Sequence, residues 1–233
     1  MLGNDVVDLR DRDADYATYR AGFDARVFGE PERSAIQAGP DSSRIRWRLW
    51  SAKEAAYKAA RRIDSSTSFS PICFAVDLGD ASDPTATVRH GAAHFAVRFH
   101  DGRDFIHAVA LSLQPVAPSI DRVTTLAIDG VFDAMLIGHA RIASATPDRQ
   151  SVLARAHAAE ALAARWEVDP AAIGFERVGR IPEILLAGRP TGVPVSLSHH
   201  GDYVAWAVAP APSRSARRAS HCGVEHTSER IAS

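Results

Sequence analysis

From Ser42 to Arg62 the apolar residues Ile45, Leu49, Ala52, Ala56 and Ala59 recur at three- and four-residue steps, the period of a helix that buries one face. The segments around it have a different period. Asn4 to Leu9 is a short valine-rich run behind Gly3, and Ile72 to Val76, Thr87 to Arg89, His94 to Phe99 and Phe105 to Leu113 read as strands, with a turn at Asp101-Gly102. One long helix beside a mostly antiparallel set of strands predicts an α+β unit over residues 1–113.

The same order then recurs. Two prolines in a short polar run mark 114–121 as a linker, and Val123 to Ile128 reads as a strand. Asp148 to Trp166 is an Ala-rich helix, with Thr146 as its cap and Pro147 in its first turn. Phe175 to Val178, Glu183 to Leu186, Val193 to Leu197 and Tyr203 to Ala209 follow as strands. Asp104-Phe105-Ile106-His107-Ala108-Val109-Ala110 is echoed by Asp202-Tyr203-Val204-Ala205-Trp206-Ala207-Val208. The expectation is a duplicated α+β unit, 1–113 and 122–211, paired about a pseudo-two-fold axis with a cleft between the halves. Residues 212–233 lose apolar periodicity and are expected to be a disordered tail.

Composition narrows the function classes. A net charge of -1 offers no global field for nucleic acid. No apolar run reaches the roughly 20 residues of a spanning helix, and the charged N-terminus does not resemble a signal peptide. The 2 cysteines are too far apart for a disulfide framework. These features lead us to expect a cytoplasmic protein and a monomer. No Walker-type loop, Gly-x-Gly-x-x-Gly or His-Glu-x-x-His is present.

The chemistry therefore lies in local constellations. Lys53 and Lys58 are the only lysines among 27 basic residues, and both lie in Trp50-Ser51-Ala52-Lys53-Glu54-Ala55-Ala56-Tyr57-Lys58. They are either leftovers on a solvated helix face or compact charges needed where a planar guanidinium would not serve. Glu54 and Lys58, four apart, share one face, and Lys53 lies on a neighbouring stripe. Asp5 lies in the first strand, with Asp8 on the opposite strand face. Asp5 is either a turn cap after glycine or half of a carboxylate pair with Glu54, two hard oxygen donors suited to Mg²⁺. Ser196-Leu197-Ser198-His199-His200-Gly201-Asp202, with Arg189 upstream, is either an ordinary strand end or an anion-binding group.

Gly3-Asn4-Asp5, Arg26-Val27-Phe28 with Glu32, the Trp-x-x-Lys-Glu-Ala-x-x-Lys segment and Ser196-Leu197-Ser198-His199 together resemble the 4′-phosphopantetheinyl transferase superfamily. The order of the motifs is like that of the small single-unit holo-(acyl carrier protein) synthases. The length is like that of the two-unit enzymes, here with the halves reversed. The resemblance implies transfer of phosphopantetheine from coenzyme A to a serine of an acyl or peptidyl carrier protein, at a site between the halves. It implies Mg²⁺ on Asp5 and Glu54, Glu54 as base, Lys58 on the leaving phosphate and Lys53 orienting Glu54 or supporting the site. Arg189 and His199 would hold the phosphates of coenzyme A, with Arg149 and Arg155 near the 3′-phosphate. Asp5-x-x-Asp8 departs from the Asp-x-Glu of the two-unit enzymes, so Asp8 is not assigned to the metal. The alternatives are a non-catalytic coenzyme A or carrier-protein-binding module of the same fold, and a nucleic-acid-binding protein, which the charge balance disfavours.

Overall fold

The computed structural model describes residues 1–79, 83–113, 129–143 and 145–210. They form an α+β structure built on two five-stranded antiparallel sheets. The first contains β1 (Leu2–Asp8), β2 (Ala75–Asp77), β3 (Thr85–His90), β4 (Ala93–Phe99) and β5 (Phe105–Ser112), in the order β1-β5-β4-β3-β2. The second contains β6 (Leu136–Arg141), β7 (Ile173–Val178), β8 (Ile181–Leu186), β9 (Arg189–His200) and β10 (Tyr203–Val208), in the order β6-β10-β9-β8-β7. Both orders follow one pattern, in which the opening strand lies beside the last and the others follow as a meander. The echoed segments fall on β5 and β10, which occupy the same place in that pattern.

Helices α1 (Phe23–Val27), α2 (Glu30–Ala38) and α3 (Ser42–Ile63) follow β1, and α4 (Pro147–Trp166) follows β6. Ala52, Ala55, Ala56 and Ala59 of α3 are fully buried against the first sheet. Such small side chains let the helix backbone approach β1 so closely that a Cβ on Gly3 would stand 2.1 Å from the Ala55 carbonyl oxygen. Gly3 is thus required by a helix–strand contact, not by a turn. On the second sheet Ala158, Leu162 and Ala163 of α4 pack against Val193, Val195, Trp206 and Val208.

The sheets meet along β1. Leu2 and Val109 pack with Phe132, Met135 and Ala207, and Val6 packs with Tyr203 and Ala205. As an edge strand, β1 turns alternate backbone groups away from its own sheet, and side chains of the second sheet take them up. The Asn4 N–H donates to Ser196 Oγ at 3.0 Å, and the Asp8 N–H donates to His200 Nδ1 at 3.1 Å. An edge that could template aggregation is thereby covered.

The structure departs from the sequence reading at several points. Helices α1 and α2 were not expected, because residues 12–40 carry no sustained apolar period. Strand β6 was not expected either, since Gly138 and His139 interrupt its pattern. Gly138 is there for packing, as a Cβ would lie 2.3 Å from the Trp206 ring. Pro71–Cys73 is a 3-10 turn, so the strand read from Ile72 begins at Ala75. Thr146 takes the cap position of α4 without a side-chain hydrogen bond, and Pro147 opens the helix. The expected linker 114–121, the strand Val123 to Ile128 and the tail 212–233 lie outside the described residues. Among the described residues no helix is long and apolar enough to cross a membrane.

Candidate active site

Strand parity sets the site. Gly3 and Val7 of β1 face α3, whereas Leu2, Asn4, Val6 and Asp8 face the second sheet. Asp5 shares the α3 side, where its Oδ1 accepts a 2.7 Å hydrogen bond from Lys58 Nζ. The same ammonium donates to the Asn4 carbonyl at 3.0 Å. One turn earlier on α3, the Glu54 carboxyl is pushed up from 4.5 to about 7, first by burial and then by the charge of Asp5, with Lys58 pulling the other way. Burial opposes the charge on Lys58 as well, but Asp5 and Glu54 outweigh it and leave its pKa above the usual lysine value. The result is a carboxyl that exchanges its proton near neutrality beside an ammonium that keeps its own.

The second half reaches the same place. His199 is exposed, yet partial loss of water around its ring lowers its pKa, and the charge of Lys58 lowers it further, while Asp5 opposes and His200 and Arg155 add to the lowering. The imidazole is therefore within electrostatic reach of Lys58 and Asp5 from the first half and of Arg155 on α4. Arg155 is anchored by its own Nη1, which donates to the Ser151 carbonyl at 3.0 Å. One ammonium and two carboxylates leave the strand–helix pair short of positive charge, and the histidine and arginine beside it suit an anion.

Asp5 and Glu54 fit a magnesium ion. Both are hard oxygen donors, and a cation between them would relieve the repulsion that raises Glu54. Among the described residues no group of three or more His, Cys, Asp or Glu side chains is arranged to hold a metal. A two-carboxylate site suits an ion that fills its shell with water and substrate phosphate, which is the habit of Mg²⁺.

Other expected site residues lie elsewhere. Lys53 does not orient Glu54, because its Nζ is wholly buried and held by both oxygens of Glu32 at 2.8 Å, by the Pro71 carbonyl at 3.1 Å and by the Phe74 carbonyl at 2.5 Å. Arg189 does not join His199. It opens β9, whereas His199 lies near the other end of that strand, beyond an irregularity in the β8–β9 pairing where Gly192 takes φ +66. Arg149 is exposed on the first turn of α4. Six residues before Arg155, it points about 120° away around the helix axis. Asp8 faces away from Glu54, as the strand period predicts.

Four residues with structural duties at the site were not assigned them from sequence. Glu32 supplies the counter-charge for Lys53 and also accepts the N–H groups of Gly29 and Val76 at 2.7 Å. Its spacing from Gly29 could have marked the start of a helix, but not a partner 21 residues away. Asn4 is fully buried, and its Nδ2 lies 3.1 Å from both Ser198 Oγ and His107 Nε2. Ser196 and Ser198, whose hydroxyls looked available to an anion, are thus fasteners between the sheets. Asn4 in turn ties the Lys58 ammonium to the strand that carries His199.

No curated protein matches the chain. Residues 1–110 match the family model of the 4′-phosphopantetheinyl transferase superfamily, a span that holds β1, α3 and nearly all of β5. The matched span is the one that brings Asp5, Glu54 and Lys58 together.

Proposed function

We infer that the protein transfers 4′-phosphopantetheine from coenzyme A to a serine of an acyl or peptidyl carrier protein, in a cleft between two related halves, 1–113 and 122–211. The observation that carries this reading is the Glu54 carboxyl, raised to about 7 beside Asp5 and Lys58, with His199 and Arg155 approaching from the other half. The shared strand order supports a pseudo-two-fold duplication.

In this reading the carrier serine oxygen forms a bond to the β-phosphorus of coenzyme A. The bond between that phosphorus and the bridging oxygen breaks, and 3′,5′-ADP leaves with the electron pair. Glu54 accepts the serine proton, directly or through a water. Lys58 spends two N–H groups on Asn4 and Asp5 and directs its remaining one at the charge that builds on the leaving phosphate. His199 and Arg155 hold the nucleotide phosphates. Asp5 and Glu54 would hold Mg²⁺, which when bound supplies charge neutralisation on the pyrophosphate.

Lys58→Arg tests the geometry. The planar fork keeps the charge but cannot place one donor on Asn4, one on Asp5 and one on the ligand from a single nitrogen. The expected result is a fall in transfer of at least ~100-fold, the scale of removing one electrostatic stabiliser of a transition state, with the fold retained by circular dichroism. Wild-type rates in that variant would remove Lys58 from the mechanism.

A further inference from the structure

Asp8 lies on the face of β1 turned away from Asp5 and Glu54, yet it is a carboxylate only 3% exposed. A buried charge needs hydrogen bonds to justify its place. Its Oδ1 accepts the Arg10 N–H at 2.9 Å, and its Oδ2 accepts the Asp202 N–H, also at 2.9 Å, across the seam between the halves. Its own backbone N–H donates to His200 Nδ1 at 3.1 Å. Asp8 thus grips both ends of the His200-Gly201-Asp202 turn, and His200 directly follows His199. Gly201, at φ +53, lets the turn come this close, since a Cβ there would lie 2.6 Å from Asp8 Oδ2. From the other side Gln150 Nε2 donates to the Gly201 carbonyl at 2.7 Å, and the Ile142 N–H donates to the Asp202 carbonyl at 2.7 Å. A second fastener lies upstream, where Arg62 of α3 donates to the Val195 carbonyl of β9.

We propose that Asp8 is a positioning residue for coenzyme A binding: its clasp on the β9–β10 turn holds His199, carried by the second half, in place beside Asp5 and Lys58 of the first. The proposal rests on the transferase reading for its consequence, but the clasp itself does not. Asp8 touches neither metal nor substrate. It acts through the turn, and the strand carries that constraint one residue further to the imidazole. Because His200 Nδ1 accepts the Asp8 N–H, the neutral His200 ring carries its proton on Nε2.

The test uses full-length protein in four forms: wild type, Asp8→Asn, His199→Ala and the double variant. An amide oxygen replaces only one of the two carboxylate acceptors. Asp8→Asn is therefore expected to raise the KM for coenzyme A roughly tenfold, the ratio for losing one hydrogen bond to a charged group, with kcat within about twofold of wild type. His199→Ala should raise KM similarly, and the double variant should be no worse than His199→Ala alone, because the clasp has nothing left to position. Nitrogen resonances of His200 give a readout independent of activity, with the Nε2–H form in wild type and a changed Nδ1 shift in Asp8→Asn. Additive KM effects in the double variant, or an Asp8→Asn protein that loses thermal stability with its coenzyme A KM unchanged, would overturn the positioning role. If the wild type failed to transfer at all, the transferase reading would fall, and coenzyme A affinity by calorimetry on the same four proteins would decide the clasp by the same additivity criterion.

Discussion

Glu54→Gln is expected to end transfer and, in the metal-free protein, to raise stability above pH 7. The amide is nearly isosteric but offers neither a base nor a charged ligand. The stability gain follows from the shifted carboxyl. In the folded chain Glu54 holds its proton to about 7, against 4.5 for an unperturbed side chain. The folded state therefore binds the proton more tightly than the unfolded one. The resulting stabilisation is complete below pH 4.5, declines as pH rises and is lost above about 7, a swing on the order of 3 kcal/mol. Glutamine does not titrate, so the difference in stability between variant and wild type isolates this carboxyl: it should vanish near pH 4 and favour the variant near pH 8. Added Mg²⁺ should raise the wild-type Tm at pH 8 more than that of the variant, since it relieves a repulsion the variant lacks. An identical pH slope in both proteins would show that the environment of Glu54 does not favour its proton.

Lys53→Met should be the most damaging single change to stability. It removes the ammonium and leaves Glu32 buried without its counter-charge, a loss expected to cost about 3–5 kcal/mol. A compensating Glu32→Gln should recover part of this, because the amide carries no charge yet can still accept one N–H. Recovery stays incomplete, as Gly29 and Val76 both depend on the carboxylate. Chemical denaturation of the single and double variants measures both numbers. If Lys53→Met kept full stability and lost transfer, Lys53 would belong with Glu54 after all.

These two lysines show what the sequence could and could not reveal. Glu54 and Lys58 share a face because they are four apart on a helix, and Asp5 separates from Asp8 because a strand alternates. Both relations are local periods, and both hold in the structure. The stripe that carries Lys53 was also visible, but its partner Glu32 sits on α2, and a contact between helices is invisible to any local period. Arg189 was misplaced for a related reason. Its strand was read as Val193 to Leu197, and the full length of β9 sends it to the far end from His199. Ser196 and Ser198 carry hydroxyls whose partners depend on where β1 crosses the second sheet. That crossing is a tertiary fact, fixed by Leu2, Val6, Tyr203 and Ala207 packing across the seam.

The proposed transfer of phosphopantetheine from coenzyme A onto a carrier serine is tested most directly on the carrier itself. Purified protein, apo-carrier, coenzyme A and Mg²⁺ are combined at neutral pH, and the carrier is weighed by mass spectrometry, with Glu54→Gln in parallel. The carrier is expected to gain one phosphopantetheinyl group, 3′,5′-ADP to appear in equal amount, and neither product to form with Glu54→Gln. A carrier left unmodified by the wild type across acyl and peptidyl carriers, or modified equally by the wild type and Glu54→Gln, would contradict it.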